Sequence, residues 1–202
     1  MPKRVFLVRH GQTAYNLQRR FQGQADIPLD ATGRGQAQAV ATHLAGRGIT
    51  RLFSSDLSRA HETARAIGGA IGLEPVTDAG LREVGVGDWE GLTRDEIAPR
   101  WPAEFALWNA GRDVRPPRGE SLQEAGSRVY STVGTLLKTC ADDDVVAIVA
   151  HGAVIRGATQ MFLGLDSDGP LGQLGALKNC NYASLQYRSE HWYLDAWGWS
   201  VD

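Results

Sequence analysis

The chain has 202 residues, of which 43% are hydrophobic, and it carries a formal net charge of -2 with a pI near 6.2. This size fits one α/β domain over residues 1–202, and the near-neutral charge offers no basic surface for nucleic acid. The longest apolar run is about six residues, far short of the roughly twenty of a membrane span. The first four residues lead straight into a predicted strand, without a signal-like apolar segment. We therefore expect a cytoplasmic protein with neither a nucleic-acid nor a membrane partner.

The first predicted element is the apolar run from Val5 to Val8, which is typical of a strand buried on both faces. Such a strand belongs in the centre of a sheet, where parallel pairing is expected. Arg9, His10 and Gly11 follow directly, so these residues should lie at the edge of the sheet. Apolar residues at helical spacing then predict a helix from about 32 to 47.

A second strand and helix follow in the same order. The short apolar run at residues 51–54 predicts a strand. Ser55 and Asp56 supply capping oxygens for the next helix, whose small apolar residues share one face from about 60 to 71. The repeated order of strand, turn and helix indicates an α/β protein.

The stretch from about 85 to 120 has a different composition. It contains Trp89, Trp101 and Trp108, several prolines and only one brief helical pattern, near 93–100. We interpret this stretch as a lid-like excursion from the single domain, lying over its core.

The last third of the chain returns to regular patterns. A long helix with one apolar stripe is predicted from near Ser121 to a turn of three aspartates, and an apolar strand follows at residues 145–150. Another helical pattern and two aromatic-rich runs over about 182–197 predict a helix and a closing hairpin.

Two of these buried strands end in a histidine followed by a glycine. In open α/β sheets, ligands bind beyond the carboxyl ends of the strands, where helix N-termini offer N–H groups to anions. Four groups of polar residues are predicted there: Arg9-His10, Ser54 to Arg59, Glu83 and His151-Gly152.

The side-chain types in these groups suit a phosphate ester. Guanidinium groups pair with phosphoryl oxygens, an imidazole can act as a nucleophile, and a carboxyl group can act as an acid. This chemistry requires no metal, and we expect neither a metal nor a cofactor. Cys140 and Cys180 lack the spacing of a zinc site and are interpreted as reduced packing residues.

Several short motifs occur in a fixed order along the chain. They are Leu7-Val8-Arg9-His10-Gly11-Gln12-Thr13 with Asn16, Gln22-Gly23, Ser54-Ser55-Asp56-Leu57 with Arg59, Leu81-Arg82-Glu83 with Trp89-Glu90-Gly91, Gly119-Glu120-Ser121, and Ala150-His151-Gly152. Over roughly residues 5 to 156, this series resembles the histidine phosphatase superfamily, also called phosphoglycerate mutase-like. The resemblance implies a three-layer sandwich with a mostly parallel central sheet and helices on both faces.

The resemblance also implies roles for individual residues. His10 would be the nucleophile that becomes a phosphohistidine, and Glu83 would protonate the leaving oxygen and later take a proton from water. His151 would complete the catalytic set by holding phosphoryl oxygens. The phosphate-binding residues would be Arg9, Asn16, Arg59, Gln22 and Gly23. Two forked guanidinium groups suit phosphoryl transfer, which needs positioning and charge stabilisation above all.

Within the family, the sequence favours a phosphomonoester hydrolase acting on a small phosphorylated metabolite. Cofactor-dependent phosphoglycerate mutases, the alternative, are longer and carry basic residues just after the acid glutamate. Residues 84–91 of this chain contain no base. A third alternative, a non-catalytic phosphate- or partner-binding module, would require a broken catalytic set, whereas the set here is complete.

Substrate-binding candidates lie in the excursion. The usual Pro-Gly-Gly-Glu-Ser string of the family has Arg118 in place of its first glycine, so Arg118 could bind a second acidic group or could be a solvated loop residue. Trp101 and Trp108 would shape the leaving-group side. Glucosyl-3-phosphoglycerate, α-ribazole phosphate, phosphoserine and other sugar or nucleotide monoesters all stay open. Members of the family are often dimers, and an exposed sheet edge could pair two copies.

Overall fold

A computed structural model describes residues 1–165 and 174–199 and contains a six-stranded sheet. The strands are β1 (Arg4–Arg9), β2 (Arg51–Ser54), β3 (Val76–Thr77), β4 (Val145–Ala150), β5 (Tyr182–Arg188) and β6 (His191–Trp199), in the order β3-β2-β4-β1-β5-β6. The first four strands are parallel, and β5 and β6 form an antiparallel hairpin at one side. The predicted mostly parallel sheet is confirmed.

Helices cover both faces of the sheet, as the three-layer prediction requires. They are α1 (Ala14–Leu17), α2 (Ala31–Leu44), α3 (Ser58–Ile71), α4 (Arg94–Ile97), α5 (Pro102–Asn109), α6 (Leu122–Lys138) and α7 (Gly152–Phe162). Among the described residues, no helix is long and apolar enough to cross a membrane.

The alternation of side chains along β1 divides the core between the two faces. Val5 and Leu7 belong to the apolar cluster that includes α6 and α7. Phe6 and Val8 belong to the cluster that includes α2 and α3. The strand is apolar throughout because both of its faces are covered.

The carboxyl ends of β1, β2 and β4 meet at one edge of the sheet. The pairing of β1 with β4 sets Arg9 opposite Ala150, and β2 pairs with the other side of β4 in parallel. The ladder continues one residue further, since the N–H of His10 donates to the carbonyl of Ala150 at 3.1 Å. The residues that follow these strands, including His10 and His151, therefore lie close together, as the sequence predicted.

Three elements were not predicted from the sequence. The strand β3 has only two residues, both exposed, and so has no apolar pattern. The helix α1 is a single turn that begins at Thr13 with a capping box to Asn16. The helix α5 begins at Pro102 and lies within the excursion. The only helical pattern predicted in the excursion corresponds to α4, which precedes α5. Short elements of this kind depend on tertiary packing more than on periodicity.

Candidate active site

His10 lies at the end of β1, where it is 2% exposed. Its Nδ1 atom is 2.7 Å from the carbonyl oxygen of Gly11. Because a carbonyl oxygen only accepts hydrogen bonds, the proton of the neutral ring lies on Nδ1 and Nε2 keeps its lone pair. Gly11 is required beside it, since a Cβ at this position would overlap the carbonyl of Gly33 in the first turn of α2.

His151 is completely buried at the N-cap of α7. The Nε–H group of Arg59 donates to Nδ1 of His151 at 3.2 Å. In the neutral ring the proton therefore lies on Nε2, and that buried atom has no hydrogen-bond partner among the described residues. The rings of His10 and His151 are 5.1 Å apart between centroids, so the two buried imidazoles lie side by side with opposite tautomers.

Arg59 is held in place by the segment that precedes α2. Its Nη1 and Nη2 groups donate to the carbonyls of Ala25 and Gly23 at 2.7 and 2.9 Å. The same segment is tied to α3 through Asp26, whose carboxylate accepts from both the N–H and the hydroxyl of Ser58 at 2.7 Å. Gly23 has a φ of +55°, a left-handed conformation that favours glycine. Arg59 thus has a fixed, fully buried guanidinium group.

Arg9 approaches the site from the end of β1. Its Nη1 group donates to the carbonyl of Leu177 at 2.5 Å, and its Nε atom is buried without a partner among the described residues. The guanidinium group lies against Gly152, where a Cβ would stand 3.3 Å from Nε. Like Nε2 of His151, the Nε–H group of Arg9 is a buried donor available to an anion.

The electrostatic environment favours neutral imidazoles between charged guanidinium groups. Burial, together with the positive charges of Arg9 and Arg59, holds the pKa of His10 well below its ordinary value. Burial and the neighbouring Arg59 do the same to the pKa of His151. Arginine keeps its charge in proteins, so the site presents two cations and two neutral rings to a ligand.

Glu83 lies at the N-terminus of α7, beside His151. Its Oε2 atom accepts from the N–H of Ala153 at 3.3 Å, and Oε1 accepts from the N–H groups of Val154 at 3.3 Å and Val84 at 3.0 Å. The first turn of α7 therefore orients the carboxyl group through its free N–H groups. The structure thus places Glu83 at the start of the helix that His151 caps.

Asn16 also lies near the strand ends, in the single turn α1. Its Oδ1 atom is surrounded by donors, since it accepts from the N–H of Thr13 at 3.1 Å and from Nδ2 of Asn179 at 3.2 Å. These contacts orient the amide so that its Nδ2 group is left to donate elsewhere. Gln22 supports this turn indirectly, because its Oε1 accepts from the hydroxyl of Thr13 at 2.9 Å. The contact described for Gly23 is through its carbonyl, with Arg59.

Sequence reasoning missed the loop from 177 to 181, which braces the end of β1 at Arg9 and His10. The amide of Asn179 donates to the carbonyl of His10 at 3.0 Å, and the N–H of Cys180 donates to the carbonyl of Arg9 at 3.1 Å. Cys180 has a φ of +56°, and burial raises the pKa of its thiol to about 12, so it is a packing residue rather than a reactive one. These contacts are made largely by the backbone, which leaves no pattern in side-chain type.

The three substrate-binding candidates of the excursion have other partners than the strand-end cluster. The Arg118 side chain is 83% exposed and pairs with Asp88, with 2.6 Å between Nε and Oδ1. Trp101 and Trp108 pack against the core cluster of α6 and α7, and the ring of Trp108 lies 5.5 Å from that of Trp89. Within the described residues, no hydrogen bond or ring contact joins the three candidates to His10, Glu83 or His151.

The side chains at the strand ends are arranged for an anion. In the part of the chain that the structure describes, no group of three or more His, Cys, Asp or Glu residues could hold a metal ion. By contrast, Nε of Arg9 and Nε2 of His151 are buried N–H donors without a partner among the described residues, and the guanidinium group of Arg59 contacts His151. Asn16 adds an amide donor near the strand ends. Such a set matches the three oxygens of a phosphoryl group.

Comparison with known proteins agrees with this geometry. The family model for the histidine phosphatase superfamily (branch 1) matches residues 5–200. A curated protein of Yersinia pestis, "Probable phosphoglycerate mutase GpmB", is 35% identical over 196 residues, which cover 96% of this chain and 89% of that protein.

Solved structures show the same fold over almost the whole chain. A mycobacterial glucosyl-3-phosphoglycerate phosphatase in complex with VO3 is 36% identical, with a TM-score of 0.91 and coverage of 98% of this chain and 100% of that one. YhfR of Bacillus stearothermophilus is 28% identical, with a TM-score of 0.87 and coverage of 96% of both chains.

Proposed function

The chain belongs to the histidine phosphatase superfamily, and from this premise we propose that it hydrolyses a small phosphorylated metabolite through a phosphohistidine on His10. The observation that carries the proposal is the pair of opposite tautomers. His10 has its lone pair on Nε2, whereas His151 has a proton there and no partner for it among the described residues. One ring is prepared to attack phosphorus, and the other is prepared to donate to a phosphoryl oxygen.

In the first proposed step, Nε2 of His10 attacks the phosphorus of a phosphate monoester. The P–O bond to the leaving group breaks, its electron pair stays on the ester oxygen, and that oxygen takes the proton of Glu83. The products are an alcohol and a phosphohistidine. The lowered pKa of His10 supports this step, because only the neutral imidazole has a lone pair to donate.

In the second proposed step, water attacks the phosphorus of the phosphohistidine. The Glu83 carboxylate takes a proton from that water, the P–N bond breaks, and its electron pair returns to Nε2 of His10. Inorganic phosphate leaves, and Glu83 is again protonated for the next cycle. One carboxyl group can serve both steps because the alcohol and the water occupy the same side of phosphorus in turn.

The arginines and His151 would supply charge stabilisation throughout. Arg59 is fixed by two carbonyl contacts before any ligand binds, so it needs no reorganisation in the transition state. Arg9 and Asn16 are braced in the same way by Leu177 and Asn179. A preorganised set of donors is the arrangement that phosphoryl transfer requires.

Hydrolysis is preferred to mutase activity for two reasons. A mutase must retain a second acidic group of its substrate, but residues 84–91 contain no base, and Arg118 beyond them is paired with Asp88 on the surface. A mycobacterial relative, 36% identical over 98% of this chain, is named a glucosyl-3-phosphoglycerate phosphatase. The mutase stays the second candidate because the Yersinia relative carries that name.

The test is phosphate release from a panel of monoesters that includes glucosyl-3-phosphoglycerate, phosphoserine and sugar and nucleotide phosphates. An isomerisation assay with 3-phosphoglycerate and a bisphosphate primer runs beside it. We expect release of inorganic phosphate from at least one ester and no primer-dependent isomerisation. Isomerisation without hydrolysis would show that the chain is a mutase, and the absence of both activities would support a binding module.

A further inference from the structure

The motif Gly119-Glu120-Ser121 was part of the family resemblance but has no role in the proposed chemistry. In the structure, Ser121 caps α6, and its neighbour Glu120 pairs with Arg128, two turns along that helix. Both side chains are about one quarter exposed and lie against the loop that carries Glu83. The pair therefore adjoins the proposed general acid without belonging to the phosphate-binding set.

Arg128 binds the backbone of the Glu83 loop at three carbonyls. Its Nη1 group donates to Gly80 at 3.0 Å and to Arg82 at 2.9 Å, and its Nη2 group donates to Glu83 at 3.2 Å. Gly80 lies in a 3₁₀ turn that ends at Leu81, and Arg82 and Glu83 follow it outside any strand or helix. No strand ladder or α-helix therefore fixes the backbone of Arg82 and Glu83. A single guanidinium group supplies the hydrogen bonds that regular structure would supply elsewhere.

Glu120 holds both Arg128 and the far side of the same loop. Its carboxylate accepts from Nε and Nη2 of Arg128 at 3.0 and 2.8 Å and from the N–H of Gly85 at 2.8 Å. Gln24 closes the network, because its Nε2 group donates to the carbonyl of Glu83 at 3.1 Å. The backbone is thus held on both sides of Glu83, from residue 80 to residue 85.

We propose that the Glu120–Arg128 pair is a positioning device for the general acid, which sets the distance from the carboxyl group of Glu83 to the leaving oxygen. The proposal rests on the proposed function, since it assigns Glu83 its role in proton transfer. Neither residue touches the reacting atoms, so both act through Glu83. A displacement of about 1 Å in a catalytic group can lower a rate by about 100-fold.

The positioning role predicts a dependence on the leaving group. An alkyl phosphate needs its leaving oxygen protonated, whereas 4-nitrophenyl phosphate releases a stable phenolate and needs little help from an acid. In single-turnover measurements of His10 phosphorylation, Arg128→Met should slow the alkyl ester about 10- to 100-fold and the aryl ester less than about 3-fold. Arg128→Lys should recover part of the loss, because an ammonium group can donate to two of the three carbonyls.

A double-mutant cycle distinguishes an effect of Arg128 on the position of Glu83 from a general disturbance of the structure. If Arg128 acts only through Glu83, Arg128→Met should add less than about 2-fold to the loss already caused by Glu83→Gln. The matched control is Arg51→Met, which removes an arginine that pairs with Asp144 at the opposite end of β2. This control should leave the rates with both esters unchanged.

Two results would overturn the proposal: equal slowing of both esters by Arg128→Met, or losses that multiply in the double variant. If Arg128→Met does not fold, Glu120→Gln provides the same comparison, because it weakens the pair without removing the three carbonyl contacts. Failure of the proposed function would look different, since the wild-type protein itself would then form no phosphohistidine with either ester.

Discussion

The strand-end site and the excursion are both partly buried, but they are buried in different ways. At the strand ends the buried groups are polar, namely His10, His151 and Arg59, and two of the site's donors have no partner among the described residues. In the excursion the buried groups are apolar, namely Val86, Trp89, Ile97 and Phe105, and the rings of Trp89 and Trp108 meet edge to face.

Burial has opposite consequences for these two kinds of side chain. An unpaired polar group costs free energy when it is buried, whereas a packed aromatic ring stabilises the fold. We therefore expect the polar side chains at the strand ends to serve the reaction and the aromatic side chains of the excursion to stabilise the fold. Substitutions in the first region should change rates, and substitutions in the second should change the free energy of unfolding.

The largest effect is expected at the nucleophile. His10→Asn removes the lone pair of Nε2, so kcat should fall about 10⁴-fold or more, in the range seen when a catalytic nucleophile is lost. Acid-labile phosphate on the protein, measured by rapid quench, should disappear as well. The matched control is His191→Asn at an exposed position on β6, which should keep the activity of the wild type. Substantial turnover by the His10 variant would remove the covalent route.

Acidification should destabilise the strand-end site. The pKa of His10 and of His151 is lowered in the folded protein, so below about pH 6.5 the unfolded chain binds protons that the folded chain excludes. The contribution of the two neutral imidazoles to the stability of the fold is complete above that pH, and it is lost as the pH falls towards their pKa values in the folded protein. The free energy of unfolding should then decrease by up to about 1.4 kcal/mol per pH unit for each histidine.

Urea denaturation across the pH range, with wild type beside His151→Asn, checks this dependence. The variant should lose free energy of unfolding less steeply below pH 6.5, because one buried imidazole is gone. Parallel curves for the two proteins would show that His151 is not excluded from protonation in the folded state.

Trp108→Ala tests the other region. The substitution opens space beside Trp89 and Phe21 and should cost about 2 kcal/mol of stability, somewhat less than a fully buried tryptophan because the side chain is only partly buried. Steady-state kinetics should change less than about 3-fold. A KM raised tenfold with unchanged stability would contradict the packing role and restore Trp108 to the substrate side of a lid.

Arg118→Ala should have the smallest effect. The pair with Asp88 is at the surface, where ion pairs contribute about 0–1 kcal/mol. The KM for an acidic monoester should stay within about 2-fold of the wild-type value. A larger rise confined to acidic substrates would show that Arg118 binds them, despite its position in the structure.

Pattern and motif together predicted that the residues after β1 and β4 meet at one edge of the sheet. The apolar runs ending at His10 and His151 gave the strands and the edge at which they meet, because parallel strands end together. Residues such as Asn179 and Arg128 were not predicted. Their contacts join positions far apart in the chain, and Asn179 and Arg128 bind backbone carbonyls, which every residue possesses.

The excursion was predicted less well because its composition is ambiguous. Tryptophan suits both a ligand-binding lid and a hydrophobic core, and the sequence does not say which way a ring points. The rings of Trp89, Phe105 and Trp108 point towards one another and the core. The lid interpretation stays a prediction, whereas the packing of these rings is observed.

The sequence by itself determined which apolar runs form the longer strands, the residue types at their ends and the family, because these depend on local periodicity and short motifs. Only the tertiary structure decided which ring nitrogen of each histidine carries the proton. That assignment depends on one carbonyl beside His10 and one guanidinium group, from residue 59, beside His151. The partner of His10 is the next residue in the chain, whereas the partner of His151 is distant in the chain, and these two contacts give two chemically identical side chains different tautomers.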